Sequence, residues 1–176
     1  FFLSLFGIIR YHIQKLNRLQ LLFGKEDDMK NIRLVFEKGG TLHGCLDEKA
    51  APETVMAIWS ALPCQTVFKH TRWCGREVYG NIATGTVPAK ENHTATVSKF
   101  DISYWREDWD LTTGQSAEEA AESIACYYGP EYLSYAGGIL PLNVIGRIDF
   151  SDEPLLDEIG QRIWMEGFEK VTIEKG

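Results

Sequence analysis

The chain has no surplus of positive charge: 25 acidic residues stand against 18 basic ones, a formal net charge of −7. Nucleic-acid surfaces need Lys and Arg to displace counterions, so no nucleic-acid partner is expected. An anionic membrane surface is disfavoured for the same reason. Cysteine is sparse. Cys45, Cys64, Cys74 and Cys126 form no C-x-x-C pair, which removes the closely spaced ligands typical of structural zinc. Reduced, mostly buried thiols and a cytoplasmic location fit this usage. His43, His70 and His93 are widely separated and no His-x-His occurs, so no metal is expected. A phosphate-cradling glycine motif and a nucleophile elbow are also missing, and no cofactor is expected. No uninterrupted apolar run approaches the ~20 residues that span a bilayer.

What is present is an ordinary globular composition, 44% hydrophobic and 24% charged over 176 residues, enough for one sizeable core. Residues 1–28 read differently from the rest. Phe1–Phe23 has basic but no acidic residues, and Leu5, Ile9, Ile13, Leu16 and Phe23 fall near one helical face. A membrane-surface anchor or targeting peptide is one reading. The other is a translated leader, because Lys25-Glu26-Asp27-Asp28-Met29 can be encoded by a purine-rich ribosome-binding sequence ahead of ATG. The expected domain is therefore 29–176, with 1–28 outside the fold. Removing that stretch takes four basic and three acidic residues from totals of 18 and 25, so the net charge moves from −7 to −8.

Asn31–Glu37 alternates as a strand, and Gly39-Gly40 turns it into Thr41–Leu46. Pro52 suits a first helical turn, with Glu53 placed against the helix dipole. Val55, Ile58, Trp59 and Leu62 recur at helical spacing until Pro63, and Trp59 and Met56 are expected in that buried stripe. Strands are predicted at Gln65–His70, Glu77–Ile82, Asp101–Arg106, Ile124–Tyr128 and Asn143–Phe150. Ser116-Ala117-Glu118-Glu119 forms a capping box for a short polar helix. Ser151 or Asp152 is expected to cap a last helix whose buried face is Leu155, Leu156, Ile159 and Ile163, ended by Gly167. Val171 and Ile173 close the chain as a strand. This inventory predicts a mainly β fold with minor α content: a closed antiparallel β-barrel capped by two helices.

Thr41–Pro63 resembles the opening of the cyclophilin fold. The chain is similar to the small microbial cyclophilin-like proteins grouped as domain of unknown function 3830. Ala51-Pro52-Glu53-Thr54, His70–Tyr79, Glu91–Thr94 ahead of Asp101–Tyr104, and Gly160–Ile173 with its Trp164-Met165-Glu166-Gly167 ending carry the likeness. The resemblance implies a compact cyclophilin-like barrel, a homo-oligomer, and no established reaction. Thr112–Ser123 departs from the pattern as an insertion. Isomerase activity is not expected. Cyclophilins place their catalytic arginine in a Phe-His-Arg run followed by Gln-Gly-Gly, whereas Phe68, His70 and Arg72 are interleaved here and no Gln-Gly-Gly follows.

The run Val67–Gly80 concentrates the usable chemistry. Arg72 offers a fork for a carboxylate or amide, with Trp73 as a stacking face. The alternative is a surface arginine lying over that tryptophan. Glu77 is placed to orient Arg72 or to accept from a ligand, or else to form a weak cross-strand ion pair. Asn92 and His93 project from a loop into the expected barrel mouth or order that loop through backbone bonds. Tyr104, with Trp105 and Trp109, either lines a pocket or packs. The expected function is binding of a small polar or carboxylate-bearing metabolite through Arg72, Trp73, Glu77, Asn92, His93 and Tyr104. One alternative is an amide or cyclic-amide hydrolase or isomerase, with His93 as general base and Arg72 polarising the carbonyl. The other is a structural protomer without a ligand.

Overall fold

A computed structural model describes residues 29–109 and 120–176. The expected leader, the Ser116 capping box and most of the Thr112–Ser123 insertion lie outside the described residues. Strand β1 (Met29–Phe36) buries Ile32, Leu34 and Phe36 on one face, the period-two pattern of a half-buried strand. Gly39 (φ 103°) and Gly40 (φ 99°) turn it into β2 (Thr41–Asp47). Both positions are left-handed, so glycine is required by the turn. Helix α1 (Pro52–Ala61) follows, then β3 (Cys64–His70) and β4 (Glu77–Asn81).

The two-residue pieces β5 (His93–Thr94) and β6 (Thr96–Val97) precede β7 (Asp101–Arg106). After β8 (Glu122–Tyr127), three more short pieces, β9 (Glu131–Tyr132), β10 (Ser134–Tyr135) and β11 (Gly138–Ile139), form an excursion. The chain ends with β12 (Leu142–Ile148), helix α2 (Glu153–Glu166) and β13 (Phe168–Lys175).

Eight strands run antiparallel in the order β2-β1-β13-β3-β4-β8-β7-β12, and β12 returns to β2 through Gly146↔Leu46 and Ile148↔Gly44. Closure removes every long sheet edge, the reason a short-stranded sequence of this kind curls into a barrel. The seam is close: a Cβ on Gly146 would strike the Cys45 carbonyl, and the β12–β7 register shifts at that glycine. The fold is the mainly β barrel capped by two helices that the sequence predicts.

Phe68, Val78, Ile102, Tyr104, Ile124, Cys126 and Ile145 fill the interior. Val55 and Ile58 of α1, with Leu62 just after it, plug one end, and Leu156, Ile159 and Ile163 of α2 plug the other. Lys30 and Lys175, where β1 begins and β13 ends, lie over the Trp59 ring of α1 at 5.2 and 4.8 Å. Trp59 is thus half-buried against the core, as predicted. Met56 is not: it is 43% exposed on the solvent side of α1, because the helix turns only the stripe through Val55 and Ile58 inward.

Helix α2 takes Asp152 at its N-cap, but its carboxylate does not cap the helix. It accepts instead from the backbone N–H of His43 at 2.7 Å and from that ring's Nδ1 at 2.9 Å.

The outer face of the β4–β8–β7 wall is also buried. Ala125, Tyr127 and Leu142 pack there with Cys74, Val97 and Leu133 as a second apolar cluster. The excursion after β8 covers it.

Candidate functional site

Strand β4 alternates Val78 and Gly80 inward with Glu77, Tyr79 and Asn81 outward. The outward set would face solvent on a one-layered barrel. Under the excursion it instead forms the floor of a cleft of about 140 Å³, completed by Ser103 and Trp105 of β7, Thr71 and Trp73 of the β3–β4 loop, and Leu133 and Leu140 above. That volume is close to that of an apolar cavity that accepts benzene. Trp73, 63% exposed, stands at the rim.

Glu77 is the chemical centre of this cleft. It is buried, at 8% exposure. Burial lifts its carboxyl from the ordinary 4.5 to about 8, the Thr71 hydroxyl pulls it down somewhat, and Glu131 pushes it up. Its effect is visible on its neighbours. The Cys74 thiol is raised to about 11 and that of Cys126 to about 12, in both cases first by burial and then by Glu77. The phenols of Tyr79 and Tyr127 are raised by the same two causes. The Tyr127 hydroxyl meets Ser103 at 3.0 Å. The Trp105 indole N–H is buried with no partner among the described residues.

The lining carries two acids, Glu77 and Glu122, and no basic side chain. Glu122 is already engaged: it accepts from Arg106 at 2.8 Å, from the Tyr104 hydroxyl at 2.9 Å and from Thr84 at 2.7 Å.

A clasp closes the mouth. The Glu131 carboxylate accepts from the Arg76 N–H at 3.0 Å and from its Nε at 3.3 Å, tying the excursion to the β3–β4 loop. Gly75 lies directly beneath at φ 79°, where a Cβ would collide with that carboxylate.

The other predicted site residues lie elsewhere. Arg72 does not line the cleft. Its Nη2 donates to the Trp164 carbonyl at 2.5 Å, and its guanidinium stacks on the Trp164 ring at 4.4 Å. Trp73 is therefore not its stacking partner, and Glu77 does not orient it. The same indole meets His70 edge-on at 4.6 Å. His70 Nε2 lies 2.6 Å from the Tyr128 hydroxyl, and burial, then Arg72, depresses that imidazole.

Asn92, Glu91 and His93 form a separate network below α1. Asn92 donates from Nδ2 to the Val144 carbonyl at 2.8 Å, which orders its loop. Asn143 donates from Nδ2 to Thr54 Oγ1 and to the Ala89 carbonyl, so its Oδ1 accepts from the Glu91 N–H and from His93 Nδ1–H at 2.9 Å. Trp109 meets the His93 ring edge-on at 5.3 Å and the Tyr104 ring at 5.6 Å. Tyr104 points into the barrel core, fully buried. Of the predicted set, the structure brings together Trp73 and Glu77 at one place and Asn92, His93 and Tyr104 at another.

Thr71, Tyr79, Leu133 and Leu140 are not among the ligand residues predicted from the sequence, and Trp105 is there only as part of the aromatic cluster that lines a pocket or packs. For Trp105 a signal exists in its own strand: it lies on the face of Asp101–Arg106 opposite Ile102 and Tyr104, so each face carries a large aromatic side chain, as on a strand covered on both sides. Among the described residues no cluster of three or more His, Cys, Asp or Glu could hold a metal ion. No described helix is long and apolar enough to cross a membrane.

The model of the family described as "Protein of unknown function (DUF3830)" matches residues 36–175, and the chain belongs to this family. The solved structures similar to the chain include the following two. One is McbB in complex with tryptophan, at 21% identity and a TM-score of 0.61, covering 81% of this chain and 44% of McbB. The chain thus spans less than half the length of McbB. The other is the solution structure of the hypothetical protein AF2241 from Archaeoglobus fulgidus, at 26% identity and a TM-score of 0.55, covering 87% of this chain and 99% of that one. No curated protein matches the chain.

Proposed function

We propose that the protein binds a small cationic amine with a single ring in the cleft beside Glu77. The observation that carries this reading is a buried carboxyl in an aromatic-walled cleft whose lining has acids but no base. A cation there gains a carboxylate partner and the faces of Trp73, Tyr79 and Trp105. A carboxylate ligand, expected from the sequence because of Arg72, would find no basic side chain among the residues that line the cleft. The metabolite-binding expectation is kept, and the charge of the ligand is reversed. Tryptophan, held by McbB, carries its ammonium group beside a carboxylate and on a two-ring indole, and it enters the ligand panel as the test of whether the cleft tolerates both. At that identity the likeness supports the barrel and leaves the ligand to be tested.

Glu77 also supports a second reading, the cyclic amide weighed from the sequence. A protonated carboxyl donates through its hydroxyl and accepts through its carbonyl, the complement of a lactam's C=O and N–H. The hydrolytic version of that reading loses its machinery. Arg72 is held on α2 and His93 beneath α1, so neither is placed to act on a molecule at Glu77.

Calorimetric titration with 2-phenylethylammonium, tryptophan, phenylacetate and 2-piperidone separates these readings. The amine reading expects the ammonium to bind, phenylacetate to be refused, and Glu77→Gln to lose the ammonium by about tenfold or more. Lactam binding without amine binding would replace it by the second reading. Phenylacetate binding with loss in Arg72→Ala would restore the sequence expectation.

A further inference from the structure

We propose that the cleft exchanges a proton for a cation: an ammonium ligand seated against Glu77 displaces the carboxyl proton to solvent, so that acidification ejects the ligand. This rests on the amine reading above and concerns its regulation.

The geometry supports such an exchange. Glu77 sits at the foot of the cleft, where each element packed against it brings an acid or a neutral group. The β3–β4 loop brings Cys74 and Thr71, β4 brings Tyr79, β8 brings Cys126 and Tyr127, and the excursion brings Glu131. Arg76 of the β3–β4 loop is paired with Glu131 in the clasp, and Arg106 of β7 is paired with Glu122 of the cleft wall. Nothing among the described residues supplies the positive charge that would let Glu77 ionise in the empty cleft, and an isolated buried carboxylate is costly.

The empty site therefore keeps its proton up to about pH 8. An alkylammonium remains charged well beyond that, as the lysine side chain does near 10.4. Binding then reads: protonated Glu77 plus ammonium gives the carboxylate–ammonium pair plus one proton released to buffer. No bond other than the O–H of the carboxyl breaks, and charge balances. Below the Glu77 midpoint each fall of one pH unit weakens the apparent affinity about tenfold. Above it the affinity levels off, until the amine itself loses its charge. A lactam shows the opposite trend, since it needs the proton to stay.

The test is calorimetric titration with 2-phenylethylammonium chloride at about pH 6.5 in buffers of different ionisation enthalpy, which counts the protons released per ligand bound. The expected count is close to one at that pH and falls toward zero near pH 9. Infrared difference spectra supply the independent arm. The ligand-free protein should show a protonated carboxylic acid band that is absent in Glu77→Gln and disappears when the amine is added. If the amine binds without releasing a proton and the band is missing, the exchange is overturned while the amine reading stands. If the band is present and no amine binds, the amine reading falls and takes the exchange with it.

Discussion

Glu77 on β4 and Tyr127 on β8 stand directly opposite each other in the barrel wall, both on its outer face and both buried. That pairing places an acid where an ordinary barrel would be wet, and it makes stability depend on pH in a definite sense. The folded carboxyl holds its proton up to about 8, whereas an exposed one releases it near 4.5. Between those values the unfolded chain binds fewer protons than the folded one, so raising the pH favours unfolding, by up to about 1.4 kcal/mol per unit. Above about 8 the loss levels off. Ligand-free Glu77→Gln should lack this decline and exceed the parent in stability at about pH 8.5, measured as the difference between the two urea-unfolding curves. Parallel curves from about pH 5 to 8.5 would show that Glu77 ionises freely.

Helix α1 is capped from a distance. Ala51 at its N-cap has no side-chain oxygen, and Glu91 supplies the missing acceptor. Its carboxylate takes the N–H groups of Glu53 at 3.1 Å and Thr54 at 2.9 Å, and the Thr54 hydroxyl at 2.9 Å. Such a charged cap satisfies two orphan donors and complements the helix dipole. Glu91→Ala should cost about 1–2 kcal/mol in chemical denaturation. It should leave amine binding nearly unchanged, because Glu91 does not line the Glu77 cleft. A loss of binding at full stability would show that the α1 network and the cleft are one site.

Arg72 separates the sequence reading from the structural one most sharply. Its hydrogen bond and stacking contact both go to Trp164, at the C-terminal end of α2 where backbone carbonyls lack helical partners. Arg72→Ala should therefore lower stability by about 1 kcal/mol through the lost bond and cation–π contact. The affinity for 2-phenylethylammonium should stay within about twofold. Arg72→Lys keeps the charge but not the flat stacking surface, and should recover only part of the stability.

The barrel itself was legible because closure and capping follow from local patterns. Gly39-Gly40 marks the first turn, Pro52 and Pro63 bracket α1, and the Leu156, Ile159 and Ile163 stripe with Gly167 sets α2. The site was only partly legible. Glu77 and Trp73 were singled out, but their roles depend on what covers them. The cover is an excursion whose pieces are two residues long, too short for any periodicity to betray. Arg72 was misplaced for a related reason. Residues two apart on a strand share a face, but Arg72 lies beyond the end of β3, where the loop turns it toward α2. Glu91 was read only as part of a loop motif, since a cap reaching across 37 positions leaves no trace in sequence spacing.

Gly75 and Glu131 offer a test of how the mouth of the cleft is held. Gly75 combines a left-handed backbone with a carboxylate pressed against the place where a Cβ would stand. Gly75→Ala thus carries two separable penalties. The strain of φ 79° persists in any background, at about 1 kcal/mol for a non-glycine residue. The collision exists only while Glu131 is present, and relieving it should break the Glu131 bonds to Arg76. The substitution should cost about 2–3 kcal/mol in the parent and about 1 kcal/mol in Glu131→Ala, a coupling measurable by a double-mutant cycle. Equal costs in the two backgrounds would mean that the clasp gives way without resistance. The excursion would then be anchored by Leu133 and its neighbours in the outer cluster instead.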